Sequence, residues 1–152
     1  MSWSRLEAET PELARLGREL LERRSLVMLG TLRADGSPRI SPVETTLVDG
    51  ELVFGAMRRS GKARDLRRDQ RCTLQTIVAD PDGGEPELKL YGRAAPAAVG
   101  AGWWRERPQD ADVYRIEVEE AVVIEWDLPA ARMRVRRWTP ARGETVVERT
   151  YP

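Results

Sequence analysis

Two Asp-Gly dipeptides constrain this chain more than any other feature in it. Asp35-Gly36 and Asp49-Gly50 punctuate the run TLRADGSPRISPVETTLVDGELVFGAM. Asp-Gly marks tight β-hairpins, because the favoured hairpin turns need left-handed backbone that these two residues accept. Read as two-residue loops, the pair joins SLVMLGTLRA, SPRISPVETTLV and ELVFGAM into an antiparallel meander. If Val48 faces Glu51 across the second loop, every facing pair in that hairpin sums to 99. The register then carries Arg39 to the neighbourhood of Ser60.

The flanking sequence fits around this meander. Thr10-Pro11-Glu12 opens a helix with a hydroxyl cap, a first-turn proline and an acid at the positive dipole end. Leu13, Leu16, Leu20 and Leu21 continue it at helical spacing, which predicts an amphipathic helix over 11–24. Ser60 is placed to cap a short helix from about 61 to 69, with Ala63 and Leu66 inward and arginines outward. RCTLQTIVA, PELKLYGRAAP, VYRIEVEEAVVIEW (broken near Glu119-Glu120) and RMRVRRW are the remaining strands, the last of these ending the fold. Six or seven antiparallel strands with short helices at the ends predict a mainly β protein, a small barrel in a single domain spanning 1–152.

Composition narrows function mostly by exclusion. The 25 basic and 25 acidic residues cancel, against the basic excess of a dedicated nucleic-acid binder. Histidine is absent, which removes His-based triads, the commonest general base and most transition-metal sites. Cys72 is the only cysteine, so there is no disulfide framework or CxxC motif; it reads as a small buried hydrophobe. The charged N-terminus is neither a signal peptide nor an anchor, and no apolar run reaches membrane-spanning length. A cytoplasmic protein without nucleic-acid or membrane partners is expected.

The stretch RRSGKARDLRRDQR, residues 58–71, holds seven basic side chains and two acids. It supports two readings. A helix N-terminus presents unsatisfied N–H groups and a positive dipole end. Ser60, Gly61 and Lys62, with Arg58 or Arg59 nearby and Arg39 arriving from the second strand, compose a pocket for a phosphate monoester. The plainer reading is a capped surface helix with a solvated basic face.

GTLRADGSPRISPVE followed by LVFGAMRRSGKARDLRRDQRCTLQT resembles the pyridoxamine 5′-phosphate oxidase-like superfamily of FMN-binding split-barrel proteins. The resemblance spans about residues 11–95 and extends more loosely to the closing strands. It implies a split β-barrel homodimer with two FMN sites at the subunit interface. It also implies that Ser60, Gly61 and Lys62 grip the flavin phosphate with Arg39 and Arg59 assisting. Ile40, Ser41, Pro42 and Val43 would then lie along the flavin, with Gly55 and Ala56 offering main-chain contacts. The implied activity is flavin-dependent oxidoreduction of a small molecule. The alternatives are a deazaflavin (coenzyme F-420)-dependent reductase and a non-catalytic flavin-binding or storage protein. Related split barrels that bind haem are the least fitting, given the absence of histidine. The family's oxidases carry arginine at the Gly61 position, a hydroxyl near Ala56 and a C-terminal Arg-x-His element. This chain has none of these, so pyridoxamine phosphate oxidation itself is not expected.

Other residues have weaker patterns. Trp138, before Thr139-Pro140, is a candidate for stacking on a ring or substrate, with core packing as the alternative. Trp103-Trp104 reads as one core and one interface residue. Glu119, Glu120 and Glu125 offer carboxylates without a defined geometry, and Glu87 and Lys89 share a strand face as an ion pair. No side chain is singled out as a catalytic acid or base. That suits a cofactor which performs the electron transfer itself.

Overall fold

A computed structural model describes residues 1–24, 26–80, 82–97 and 110–150. Trp103 and Trp104 lie outside the described residues. Helix α1 (Trp3–Glu9) and helix α2 (Pro11–Arg23) precede strands β1 (Leu26–Leu32), β2 (Pro38–Val48) and β3 (Glu51–Met57). Helix α3 (Gly61–Arg68) leads into β4 (Arg71–Thr76), β5 (Glu87–Pro96), β6 (Ala111–Asp127), β7 (Arg132–Thr139) and β8 (Gly143–Thr150). The eight strands form one antiparallel sheet in the order β3-β2-β1-β4-β5-β6-β7-β8. A further β3–β6 pairing closes the first six of these into a barrel. The result is a mainly β split barrel with two added strands.

The two Asp-Gly turns are not alike. Asp49 and Gly50 both have positive φ, 51° and 76°, and Val48 pairs with Glu51, a two-residue primed turn with the expected register. At the first turn the Gly36 amide donates to the Arg33 carbonyl at 3.0 Å and the Arg33 amide to Ser37 at 2.8 Å. Only Gly36 is left-handed there, at φ 82°, so the loop has three residues and ends in a bulge. Asp35 accepts from the Ser37 amide and hydroxyl at 2.9 and 2.7 Å, which favours the wider turn.

Strand β6 makes the closure possible by its length. Its first residues, Ala111–Arg115, pair with β3, its last, Ala121–Asp127, pair with β7, and β5 runs along most of it. The break expected near Glu119-Glu120 is a β-bulge instead. Tyr91 faces Glu120 while Gly92 faces Val118, leaving Glu119 as the extra residue. A Cβ on Gly92 would stand 2.0 Å from the Glu117 carbonyl oxygen, so the bulge requires glycine there.

Leu13, Leu20 and Leu21 of α2 are buried, as the periodicity predicts, Leu16 packs at the core's edge, and Ala14 is buried beside them. Each such leucine contributes roughly 1.5–3 kcal/mol by leaving water. Two elements had no signal in the sequence reading. Helix α1 inserts Trp3 and Leu6 into the core and is held to the second turn by a Ser4-to-Gly50 backbone bond of 2.9 Å. Strand β8 follows β7, so RMRVRRW is not the final strand. Thr10 precedes α2 without capping it. Its hydroxyl donates to Glu144 of β8, tying the helix start to the added strands.

Candidate functional site

Helix α3 packs against β1 and β3 and is linked to β2 through side-chain bonds. Its amphipathic face buries Ala63, Asp65 and Leu66. Ser60 is the N-cap in extended conformation, its hydroxyl accepting from the Ala63 amide at 3.3 Å. The Ser60 amide donates to Met57 at the end of β3 at 2.9 Å, so the strand runs directly into the cap. The Lys62 ammonium reaches across to the Pro42 carbonyl on β2 at 3.4 Å.

Arg39 arrives from β2 beside the helix start, although the β2–β3 pairing itself stops at Thr45–Phe54. A Cβ on Gly61 would lie 2.7 Å from the Arg39 Cζ and 2.8 Å from its Nη1. The guanidinium therefore lies against the head of the helix in space that only glycine leaves open. The sequence assigns Gly61 to the close approach of an anion to the main chain, and on its Cβ side the neighbour is the arginine.

Arg39 is anchored by Asp65, a residue that the sequence reading passed over. Asp65 is 3% exposed and accepts from Arg39 Nε at 2.6 Å and from the Thr31 hydroxyl at 2.9 Å. Arg68 completes the set at 3.5 Å. Thr31 and Arg39 are direct cross-strand partners on β1 and β2, so one carboxylate ties both strands to α3. Burial pushes the Asp65 carboxyl upward, but the Arg39 and Thr31 bonds outweigh it and hold it below its ordinary value. A buried acid needs partners, and those of Asp65 come from two other strands, where helical spacing gives no sign of them.

The other arginines of the basic stretch are largely committed. Arg58 and Arg67 converge on Asp112 at 3.1 and 2.6 Å, Arg71 binds Asp69 at 2.6 Å, and Arg68 also donates to the Leu32 carbonyl. Asp112 is pushed upward by burial, yet the bonds from Arg67 and Arg58 hold it below the usual carboxylate range. Arg59 is exposed and, among the described residues, has no ion-pair partner. Arg58, Arg67, Arg68 and Arg71 are thus neutralised, whereas Arg64 is exposed without an ion pair among the described residues.

Ile40 is 70% exposed and Pro42 is also exposed, both on the outer face of β2. Ser41 is half-buried and Val43 buried, so their side chains turn toward the core. Gly55 and Ala56 pair with Val113 and Asp112, and the Ala56 methyl is buried. Trp138 is 0% exposed, within the hydrophobic core, and its indole N–H has no hydrogen-bond partner among the described residues. The ring-stacking expectation for Trp138 therefore gives way to core packing. Burial pushes the Cys72 thiol up to about 12, consistent with an inert hydrophobe.

Glu120 and Glu125 are bound by Arg137 at 2.8 Å and Arg136 at 3.1 Å, so they do not form an acid/base pair. Lys89 and Glu87 pair at 2.9 Å. Among the described residues there is no group of three or more potential ligands that could hold a metal ion. No described helix is long and apolar enough to cross a membrane.

A family model described as pyridoxamine 5′-phosphate oxidase matches residues 15–124. No curated protein matches the chain. Among solved structures, PhzG from Burkholderia lata in complex with tetrahydrophenazine-1-carboxylic acid superposes with a TM-score of 0.69 at 14% identity, covering 94% of this chain and 93% of that one. A pyridoxamine 5′-phosphate oxidase-related, FMN-binding protein from Nostoc punctiforme gives 0.63 at 9% identity, with 90% and 96% covered. A haem-binding protein from Mycobacterium smegmatis gives 0.62 at 14% identity, with 91% and 88% covered. At these identities the likeness is one of fold.

Proposed function

The chain belongs to the pyridoxamine 5′-phosphate oxidase family, and from that premise we propose that it is an FMN-dependent oxidoreductase acting on a small molecule. The observation that carries the reading is the Arg39 guanidinium laid across Gly61 beside Lys62 at the start of α3. Two cations and the unsatisfied amides of a helix N-terminus suit a phosphate monoester, whose charge is compact and whose oxygens accept several hydrogen bonds. The residues present thus fit the phosphate of FMN. Ser60 sets the cap, Lys62 supplies a mobile charge, Arg39 a fixed one and exposed Arg59 long-range attraction.

The outward strip of Ile40 and Pro42 gives a planar ring an apolar bed, while the Ser41, Val43, Gly55 and Ala56 segments contribute main chain. When bound, the flavin supplies hydride or electron transfer. The protein's own part is to hold the phosphate, orient the ring and limit water at the reacting face. The exposed apolar side chains Ile40, Met57 and Tyr91 support a homodimer that covers the site from outside. A haem-binding protein shares the fold, but this chain has no histidine, and its one cysteine is buried with its thiol held protonated.

The test is an absorption spectrum of the purified protein with mass identification of released ligand, followed by titration of FMN and of coenzyme F-420. FMN bound with phosphate-dependent affinity supports the reading. Binding of the deazaflavin alone redirects it to a deazaflavin reductase, and a protein that takes up neither overturns it. Reoxidation of the reduced complex, screened against small acceptors, separates turnover from storage.

A further inference from the structure

We infer that Asp65 is a positioning residue for the cofactor phosphate: it fixes Arg39 across the head of α3 and so makes the site selective for phosphorylated over unphosphorylated flavin. The inference rests on the flavin reading above and adds a determinant to it.

Asp65 carries the only buried carboxylate, ammonium or guanidinium among the described residues. Burying a charge is costly unless it is fully bonded, and an apolar residue at this helix position would close the barrel end without that cost. What the carboxylate achieves instead is control of an arginine. A guanidinium on a long stem samples many rotamers, and Arg39 is still 29% exposed at its side chain. The 2.6 Å bond to Nε, with Gly61 against the Cζ–Nη1 side, pins the fork from two directions. The bond consumes Nε and leaves the terminal amino groups of Arg39 without another hydrogen bond among the described residues. Thr31 holds the carboxylate itself in place at 2.9 Å, so the fixed point is the barrel wall.

The sign of the effect separates this role from simple electrostatics. Removing an acid next to an anion site should tighten anion binding if charge alone matters. A positioning role predicts the reverse.

The experiment titrates FMN and riboflavin, the same ring without phosphate, against the full chain and the variants Asp65→Asn, Arg39→Ala and the double variant. Asp65→Asn is expected to weaken FMN about tenfold, the scale of one charge-assisted hydrogen bond, and to leave riboflavin unchanged. In the Arg39→Ala background the same change should add little, because the arginine it positions is gone. Asp65→Glu, which keeps the buried charge, guards against a folding defect and should show a smaller loss of the same selectivity. FMN binding that is unchanged or tighter in Asp65→Asn overturns the inference. So does a parallel loss for FMN and riboflavin, which marks a merely structural role. A wild-type chain that does not prefer FMN to riboflavin instead overturns the flavin-phosphate reading itself, and the inference with it.

Discussion

The two ends of α3 carry the same kinds of side chain and use them differently. Beyond the first turn, Arg67 and Arg68 meet Asp112 and Asp65, and Arg71 just past the helix meets Asp69. At the N-terminal end, Lys62 donates to the Pro42 carbonyl and has no ion-pair partner among the described residues, while Arg39 is held by Asp65 through Nε and keeps its terminal amino groups without a further hydrogen bond there. Counting charge along 58–71 would suggest a strip for a polyanion. The placement of three aspartates, one of them more than forty residues away in sequence, converts most of that strip into ion pairs and leaves one focused cationic corner.

Substitutions at the two ends should therefore separate sharply. Lys62→Ala is expected to weaken FMN binding by roughly 1.5–3 kcal/mol, a loss of more than tenfold read by fluorescence quenching of the flavin. Arg67→Ala, at an exposed pair, should change FMN affinity by less than threefold and stability by about 0–1 kcal/mol in thermal unfolding. Equal effects from the two would break the contrast. Gly61→Ala sharpens it further. Its methyl would stand 2.7 Å from Arg39, but a flexible side chain can move, so the fold should persist with stability altered by less than about 1 kcal/mol. FMN affinity should nonetheless fall by roughly threefold or more as the guanidinium is displaced.

Acid exposes the same contrast in stability. The folded Asp65 carboxyl lies below its ordinary value, so the stability linked to it is present above the unfolded value near 4 and is lost as pH falls through the folded one. The stability difference between wild type and Asp65→Asn should shrink as pH drops below about 4, measured by denaturant unfolding at stepped pH. A difference that stays constant across that range would show that the buried pair is not titrating with the fold. The smallest effect concerns nucleic acid. Wild type should show no salt-dependent retention on DNA, and Asp112→Asn, which frees Arg58 and Arg67, should add at most a weak signal at low salt.

Much of the site's local structure was legible in residue order. The Ser60 cap, the inward Ala63 and Leu66 and the sum-of-99 register each depend on contacts within a turn or across one hairpin, where spacing determines geometry. Asp65 escaped because its partners, Thr31 and Arg39, sit on other strands and nothing local marks it as buried. Asp35-Gly36 was read as a two-residue turn, although Ser37 offers Asp35 two donors that favour the wider loop. Helix α1 was hidden by its few apolar residues, and β8 by the high exposure of GETVVERT, which has little buried face to generate alternation.

By itself the amino-acid order determined the meander, the two framing helices, the absence of histidine and the capped, small-residue start of α3. Those follow from backbone preference and side-chain inventory, which act over a few residues. Only the tertiary structure decided that β6 is long enough to close the barrel on β3, that Trp138 is core, and that Arg39 is pinned by a buried aspartate rather than free. These depend on which distant side chains share one small volume, and burial and pairing there set both the cost of a charge and the direction in which it points.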